Sequence, residues 1–381
     1  MLLVLLVPLV PLVRPLTDPS MNDNLLILGG TGFVGRSVCE ALIDRSGGAG
    51  GQVVVPSRQP AQARHLQMLP TLRLVQADVH DEAQLRTLLH GCDAVVNLVA
   101  ILHGDDAAFT RTHVELPRKL VRACAATGVR RVVHVSALGV ADFHADAPEA
   151  SPDIALAAKG AGPRAGFRAG PGAGPQPGTH AAAPSRYLRS KTAGEAVLAS
   201  AAAAGGIDLT LLRPSVIFGA HDRFLNLFAS LQAVFPVLPL AGADARFQPV
   251  WVGDVAAAIV RCLGDDATIG QTYECAGPQV FTLAQLVEAA GRWSGHARPV
   301  VGLPSALGRL QALAMELLPG APLMSRDNLD SMRAPNVAGG ALPGLAALGI
   351  VPASLGSVAP GYLAPGRGVA RLDRWRARLG R

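Results

Sequence analysis

The stretch LLILGGTGFVGRSVCEALIDR, residues 25–45, joins three local patterns whose order decides the fold. Four consecutive apolar residues predict a strand buried on both faces. Gly29, Gly30, Gly32 and Gly35 follow in GGTGFVG, and a helical run follows them. Such a glycine motif occurs often by chance, but one that closes a strand and opens a helix is far more specific. In that setting glycines let the main chain turn tightly and approach a pyrophosphate, whose charge meets the N–H groups and dipole of the next helix. Thr31, Phe33 and Val34 lie in the same turn and are expected to share the contact.

Working outward, QVVVPSR (52–58), LRLVQADV (72–79), DAVVNLVA (93–100) and RRVVHVSAL (130–138) read as further strands, with helices between them near 33–45, 81–92 and 115–127. Strands alternating with helices at this spacing predict an α/β protein, a Rossmann-type doubly wound parallel sheet. The pattern resumes with a helix from Ser185, the strand IDLTLLRPSVIFG (207–219) and a strand-to-helix segment, 248–263. A small C-terminal α/β domain, substrate-binding or capping, follows. The expected divisions are an unstructured apolar N-terminus at 1–20, outside the native start, a sheet domain in two parts at 21–142 and 184–265, a small domain at 266–340, and a loosely ordered basic tail at 341–381. Gly160 to Gly178 holds seven Gly and four Pro. Such a segment buries too little to offset its ordering entropy, so 143–183 is expected to be a disordered insertion. The helix around LPSALGRLQALAMELLPG (303–320) is apolar on one face, and core packing is the expected use of that face, with a membrane or partner groove as the alternative.

Composition sets the remaining bounds. The 381 residues carry a net charge of +6 with 42 Gly and 29 Pro. The last fifteen residues hold six arginines against Asp373, or +5, and residues 154–192 hold another +6. The rest of the chain is therefore at about −5, which argues against a nucleic-acid partner. Five scattered cysteines without CxxC pairs read as core residues of a reducing compartment, and the histidines show no metal-ligand spacing. No metal site is expected. The N-terminus lacks a basic segment and a cleavage site, so the protein is not expected to be secreted. The expected location is cytoplasmic, with a peripheral place at the inner face of the plasma membrane as the alternative.

The second strand ends in Ser57 and Arg58, where an acid would hold an NAD ribose. A hydroxyl and a guanidinium suit a 2′-phosphate, so NADP(H) is favoured over NAD(H). Asp78, with Val79 beside it, can accept from the adenine amino group or cap the following helix. Asn97, Leu98, Val99 and Ala100 end the fourth strand and are expected to line the cofactor. Arg213 and Pro214, at the end of the sixth, are expected either to reach the nicotinamide ribose or to form a buried turn.

Tyr187 and Lys191 stand one helical turn apart, on one face. An ammonium beside a phenol favours phenolate, so a lowered tyrosine pKa is expected for proton transfer. Asp254 is expected to cap its helix.

The glycine motif, YxxxK, RPSVIFG and WVGDVAAAI resemble the extended short-chain dehydrogenase/reductase superfamily, similar to NAD-dependent epimerases and dehydratases. SRYLRSKTAGE (185–195), LLRPSVIFGAHDRFLNLFASL (211–231), QPVWVGDVA (248–256) and LMSRDNLDSMRAPNV (323–337) resemble more specifically the family of the complex I alpha subcomplex subunit nine and its bacterial relatives. The resemblance spans 24–337 apart from the insertion. It implies a tightly bound NADP(H) or NAD(H), proton transfer by Tyr187, ribose binding by Lys191, and a hydroxyl after the fifth strand on the substrate oxygen. Ser136 is the candidate, although the family's hydroxyl falls one or two positions later, at Ala137 or Leu138. The separation of Ser136 and Tyr187 exceeds the superfamily's by about the insertion's length, which puts the insertion in a substrate-side loop. The expected function is an oxidoreductase acting on a small carbonyl or quinone-like substrate. The alternative is a cofactor-bound structural or assembly subunit of a membrane-associated respiratory or quinone-synthesis complex.

Overall fold

The computed structural model describes residues 23–140, 183–317 and 323–365. In chain order its elements begin with β1 (Leu25–Leu28), α1 (Phe33–Ser46), β2 (Val53–Ser57), β3 (Leu72–Gln76), α2 (Glu82–Leu89) and β4 (Ala94–Asn97). Next come α3 (Asp106–Thr110), a π turn at Arg111–Glu115, α4 (Leu116–Thr127), β5 (Arg131–Val135), α5 (Arg186–Ala203) and β6 (Asp208–Pro214). The chain continues through β7 (Ile217–Phe218), α6 (Leu225–Val234), β8 (Leu238–Ala241), β9 (Arg246–Phe247), β10 (Val250–Trp251), α7 (Val252–Leu263) and β11 (Thr272–Cys275). It ends with β12 (Phe281–Thr282), α8 (Leu283–Ser294), β13 (Val300–Leu303), α9 (Ser305–Glu316), α10 (Arg326–Ser331) and α11 (Leu355–Leu363).

Seven strands form one sheet in the order β11-β6-β5-β4-β1-β2-β3, and every neighbouring pair is parallel. The expected doubly wound sheet is therefore present. Its strand order reverses between β1 and β4, the place where such sheets open a crevice at the carboxyl ends of the strands. Alternate residues face opposite layers: Leu25 and Ile27 pack with α1 and α7, whereas Leu26 and Leu28 pack with α2, α4 and α5. The inner strands β1 and β4 are apolar up to Asn97 because both faces are covered, whereas the edge strand β3 leaves Arg73 and Gln76 exposed.

A second core joins Phe218, Leu225 and Phe228 to Leu283, Leu286, Val287, Leu355 and Leu363. This corrects the boundary expected at 265/266. Residues 218–241 belong with the smaller module, and β11 returns to the edge of the sheet beside β6. The tail expected to be loose from 341 also differs. Leu345 and Leu348 pack under the sheet, and Leu355, Ala359 and Leu363 fill the small core, because apolar residues recur at helical spacing between the glycines and prolines. Residues 1–20, 366–381 and the insertion at 143–183, except buried Ala183, lie outside the described residues.

α9 is oriented against expectation. It turns its small residues Gly308 and Ala312 inward, where a Cβ on Gly308 would stand 2.8 Å from that of Ala241. Leu307, Leu310 and Leu313 face outward instead. Close approach to β8 leaves room for nothing larger than alanine on the inner face, so core packing does not use the leucines.

Candidate nucleotide cleft and proton-transfer site

The turn after β1 is built on absent side chains. Gly29 has φ +81°, and a Cβ there would press against the Leu98 main chain. A Cβ on Gly30 would stand 2.8 Å from Val55 Cγ1. A Cβ on Gly35 would collide with Gly29 O and Gly30 Cα, so only glycine lets α1 pack over the turn. Gly32 caps α1 without a side-chain acceptor, which leaves the first N–H groups of the helix available to an anion.

Beside this turn a cleft of about 520 Å³ is lined by Gly29, Thr31, Ser57, Arg58, Asp78, Val79, His80 and Val99. Seven of these eight, all but His80, are sequence-expected contacts, and they come from the ends of four separate strands. Arg58 is exposed at the mouth. Asp78 Oδ1 accepts from His80 N–H at 3.0 Å, and Arg111 approaches its carboxylate at 3.8 Å. Helix capping falls to Asp81, which accepts from Ala83 and Gln84 N–H. Asp78 therefore remains free of the capping role.

Two expected contacts are placed otherwise. Asn97 is buried and its Oδ1 accepts from Val99 N–H at 3.2 Å, so its amide shapes the turn after β4 instead of projecting into the cleft. Arg213 is also buried, with its guanidinium on the Glu195 carboxylate at 2.7 Å. It braces α5 against β6. Removal of two charged groups from water makes such a pair obligatory once one partner is there. Asp254 likewise serves elsewhere than as a helix cap, accepting from Ala353 N–H at 2.8 Å. Asp222 takes the cap near α6, accepting from Gly219, Phe224 and Asn226 N–H, and Tyr362 Oη donates to it at 2.9 Å.

Of the residues expected to transfer a proton, Lys191 and Ser136 lie at the carboxyl end of β5. Lys191 is 2% exposed and its Nζ donates to Val135 O at 2.9 Å. The next residue, Ser136, is buried with an Oγ that has no hydrogen-bond partner. An orphaned buried hydroxyl costs free energy unless a bound group satisfies it. Tyr187 packs edge-on against His113 at 5.6 Å and Phe109 at 6.3 Å. The expected lowering of its pKa is reversed here. Burial pushes the Tyr187 phenol up to about 12 and the Lys191 amine down to about 8, with Glu195 opposing the latter. Desolvation outweighs the ammonium because the phenol ring packs among His113 and Phe109 and the Lys191 Nζ is directed to a carbonyl.

Several contributors are not visible in local sequence. Asp327, from α10, accepts from Arg186 N–H at 2.7 Å and Tyr187 N–H at 3.1 Å. It thereby closes the N-terminus of the tyrosine helix with a negative charge. Ser331 Oγ donates to Ser185 Oγ at 2.8 Å in the same junction. His134, fully buried under α5, is held neutral by burial and by Lys191. His113 and Ser190 complete the surroundings of Tyr187. The only local signal for any of these is Ser185 followed by an apolar helix.

The chain can be compared with known proteins at this point. It is 30% identical over 270 residues to NADH dehydrogenase (ubiquinone) 1 alpha subcomplex subunit 9, mitochondrial, of Arabidopsis thaliana, covering 69% of this chain and 56% of that protein. The Mus musculus protein of that name is 28% identical over 340 residues, covering 86% of this chain and 76% of its own. Among solved structures, an NADPH-dependent quinone oxidoreductase of Escherichia coli complexed with NADPH superposes with a TM-score of 0.61 at 21% identity, over 87% of this chain and 97% of that one. At that identity the likeness shows the fold alone. Residues 25–276 match the model of the NAD dependent epimerase/dehydratase family, and with the glycine turn, the cleft and the parallel sheet in place, the chain belongs to that family and binds a nicotinamide dinucleotide.

Proposed function

We propose that this protein is an NADP(H)-dependent oxidoreductase in which Tyr187 donates a proton to the oxygen of a small carbonyl or quinone-like substrate. The observation that carries the reading is the half-buried Tyr187 one helical turn from the buried Lys191, whose ammonium reaches Val135 O next to the unsatisfied Ser136 hydroxyl. When bound, the dihydronicotinamide supplies the hydride. Tyr187 supplies the proton, Lys191 stabilises the phenolate left behind, and Ser136 donates to the same substrate oxygen. The site residues fit such a cofactor: the Gly35 contact demands a bare turn, and the cleft has a basic mouth. A direct assay follows NADPH absorbance with short-chain benzoquinones and small aldehydes or ketones as acceptors. Oxidation that depends on the acceptor is expected; nucleotide unchanged by all of them overturns the reading.

The preference for the phosphorylated nucleotide rests on Ser57 and Arg58 in the cleft. Arg58→Ala is expected to weaken NADPH binding by roughly tenfold, the value of one charge-assisted contact. NADH binding should stay within twofold. An unchanged ratio of the two affinities refutes the assignment.

A second reading has its own support. Two relatives are subunits of mitochondrial NADH dehydrogenase, and Tyr187 at about 12 is a reluctant proton donor before substrate arrives. On this reading the protein is an accessory subunit of a respiratory complex at the membrane surface, with a nucleotide that stabilises the fold. Among the described residues no helix is long and apolar enough to cross a membrane.

A further inference from the structure

We infer that His113 is a positioning residue for Tyr187, its imidazole tying the main chain of the tyrosine helix to the turn that follows β4. The inference rests on Tyr187 being the proton donor. His113 is 3% exposed and sits in the π turn at Arg111–Glu115, the sole π turn among the described residues. Insertion of one residue into a helix costs hydrogen-bond quality, and such turns recur at functional sites.

Both ring nitrogens are used. Nε2 accepts from Ile101 N–H at 3.1 Å, which places the ring proton on Nδ1. Nδ1 then donates to Ser190 Oγ at 2.7 Å, and Ser190 Oγ donates to Tyr187 O at 2.8 Å. The chain of donors runs in one direction without a conflict. It requires a neutral imidazole, and burial together with Lys191 holds the His113 pKa down to about 3. His113 also presents its ring to the Tyr187 ring at an interplanar angle of 80°. Close approach of the two helices depends on Gly194, where a Cβ would strike His113 O.

The two ends of this connection matter for function. Val99, two residues before Ile101, lines the nucleotide cleft. Asp327 holds the Tyr187 N–H while Ser190 holds its carbonyl. The imidazole therefore joins a wall of the cleft to the proton donor, fixing the distance between cofactor and acid.

Three variants separate the parts. Ser190→Ala keeps the imidazole and cuts its link to Tyr187. His113→Asn keeps a donor toward Ser190 and loses the bond to Ile101, and His113→Leu removes both. The chain has three tyrosines, so ¹³C labelling at tyrosine Cζ gives few enough NMR signals to follow each, with Tyr187→Phe assigning that of Tyr187. Ser190→Ala and His113→Leu are expected to move or split the Tyr187 signal. They should also lower kcat for quinone reduction by roughly 10- to 100-fold, the effect of a misplaced catalytic group. NADPH affinity should stay within twofold, and His113→Asn should recover part of the loss. A folded Ser190→Ala protein with the parent signal and kcat overturns the inference, including where His113→Leu fails to fold. Should Tyr187→Phe retain full turnover, the proton-donor reading fails instead, and the NMR signals still decide whether His113 positions the ring.

Discussion

Gly35→Ala is expected to abolish nucleotide binding and to lower stability by more than about 3 kcal/mol, the upper range for overpacking. Its Cβ would meet main-chain atoms of Gly29 and Gly30, including Gly30 C at 2.7 Å, and the main chain has no rotamer to escape through. Relief requires α1 to move away from the turn. That motion displaces the helix N–H groups that the proposed site would offer to a pyrophosphate and pulls Val38 and Cys39 of α1, both fully buried, off the sheet. Dissociation constants for NADPH and NADH should each rise more than about 100-fold, since the turn serves both equally. Gly356→Ala is the control: in α11 its Cβ would meet nothing, and it should bind and melt as the parent or slightly better. A Gly35→Ala protein with parental affinity shows that the turn is not the phosphate site.

Tyr187→Phe should lower kcat by roughly 10²- to 10⁴-fold, the usual loss on deletion of a general acid. The ring contacts with His113 and Phe109 persist in the variant, so nucleotide affinity and melting temperature should be preserved. The pH profile adds a signature. Lys191 has a folded-state pKa lowered to about 8, so its ammonium is present below that pH and lost as pH rises through it. Because the ammonium stabilises the developing phenolate, carbonyl reduction should be level at neutral pH and fall above about 8. A rate that instead rises through that range contradicts the role given to Lys191.

The parts of the fold and site carried by short-range patterns were legible in sequence. The bare turn at 29–35 sits between a strand and a helix, and the Tyr187 to Lys191 spacing is one helical turn. Arg58 was readable because the end of β2 is a fixed distance from the glycine turn. What was not legible depends on contacts between distant segments. His113 and Ser190 are 77 residues apart, and Asp327 and Arg186 are 141 apart. Arg213 could be placed at a strand end, but its bond to Glu195 depends on how α5 lies across β6. Apolar spacing in α9 identified one face and gave no indication that Gly308 and Ala312 would take the inside. The sign of the Tyr187 shift also depended on depth, which periodicity does not report.

The closure of the tyrosine helix by Asp327 has a consequence in time. A ribosome working at 5–20 residues per second adds the intervening 141 residues in roughly 7 to 28 s. Through that interval β1 to β5 and the glycine turn are already outside, while α5 has Ser185 but not the carboxylate from α10. The growing chain thus acquires a place for the nucleotide before it acquires a fixed acid. On the proposed function, the helix that carries the proton donor is therefore the last part of the site to receive its closing contact.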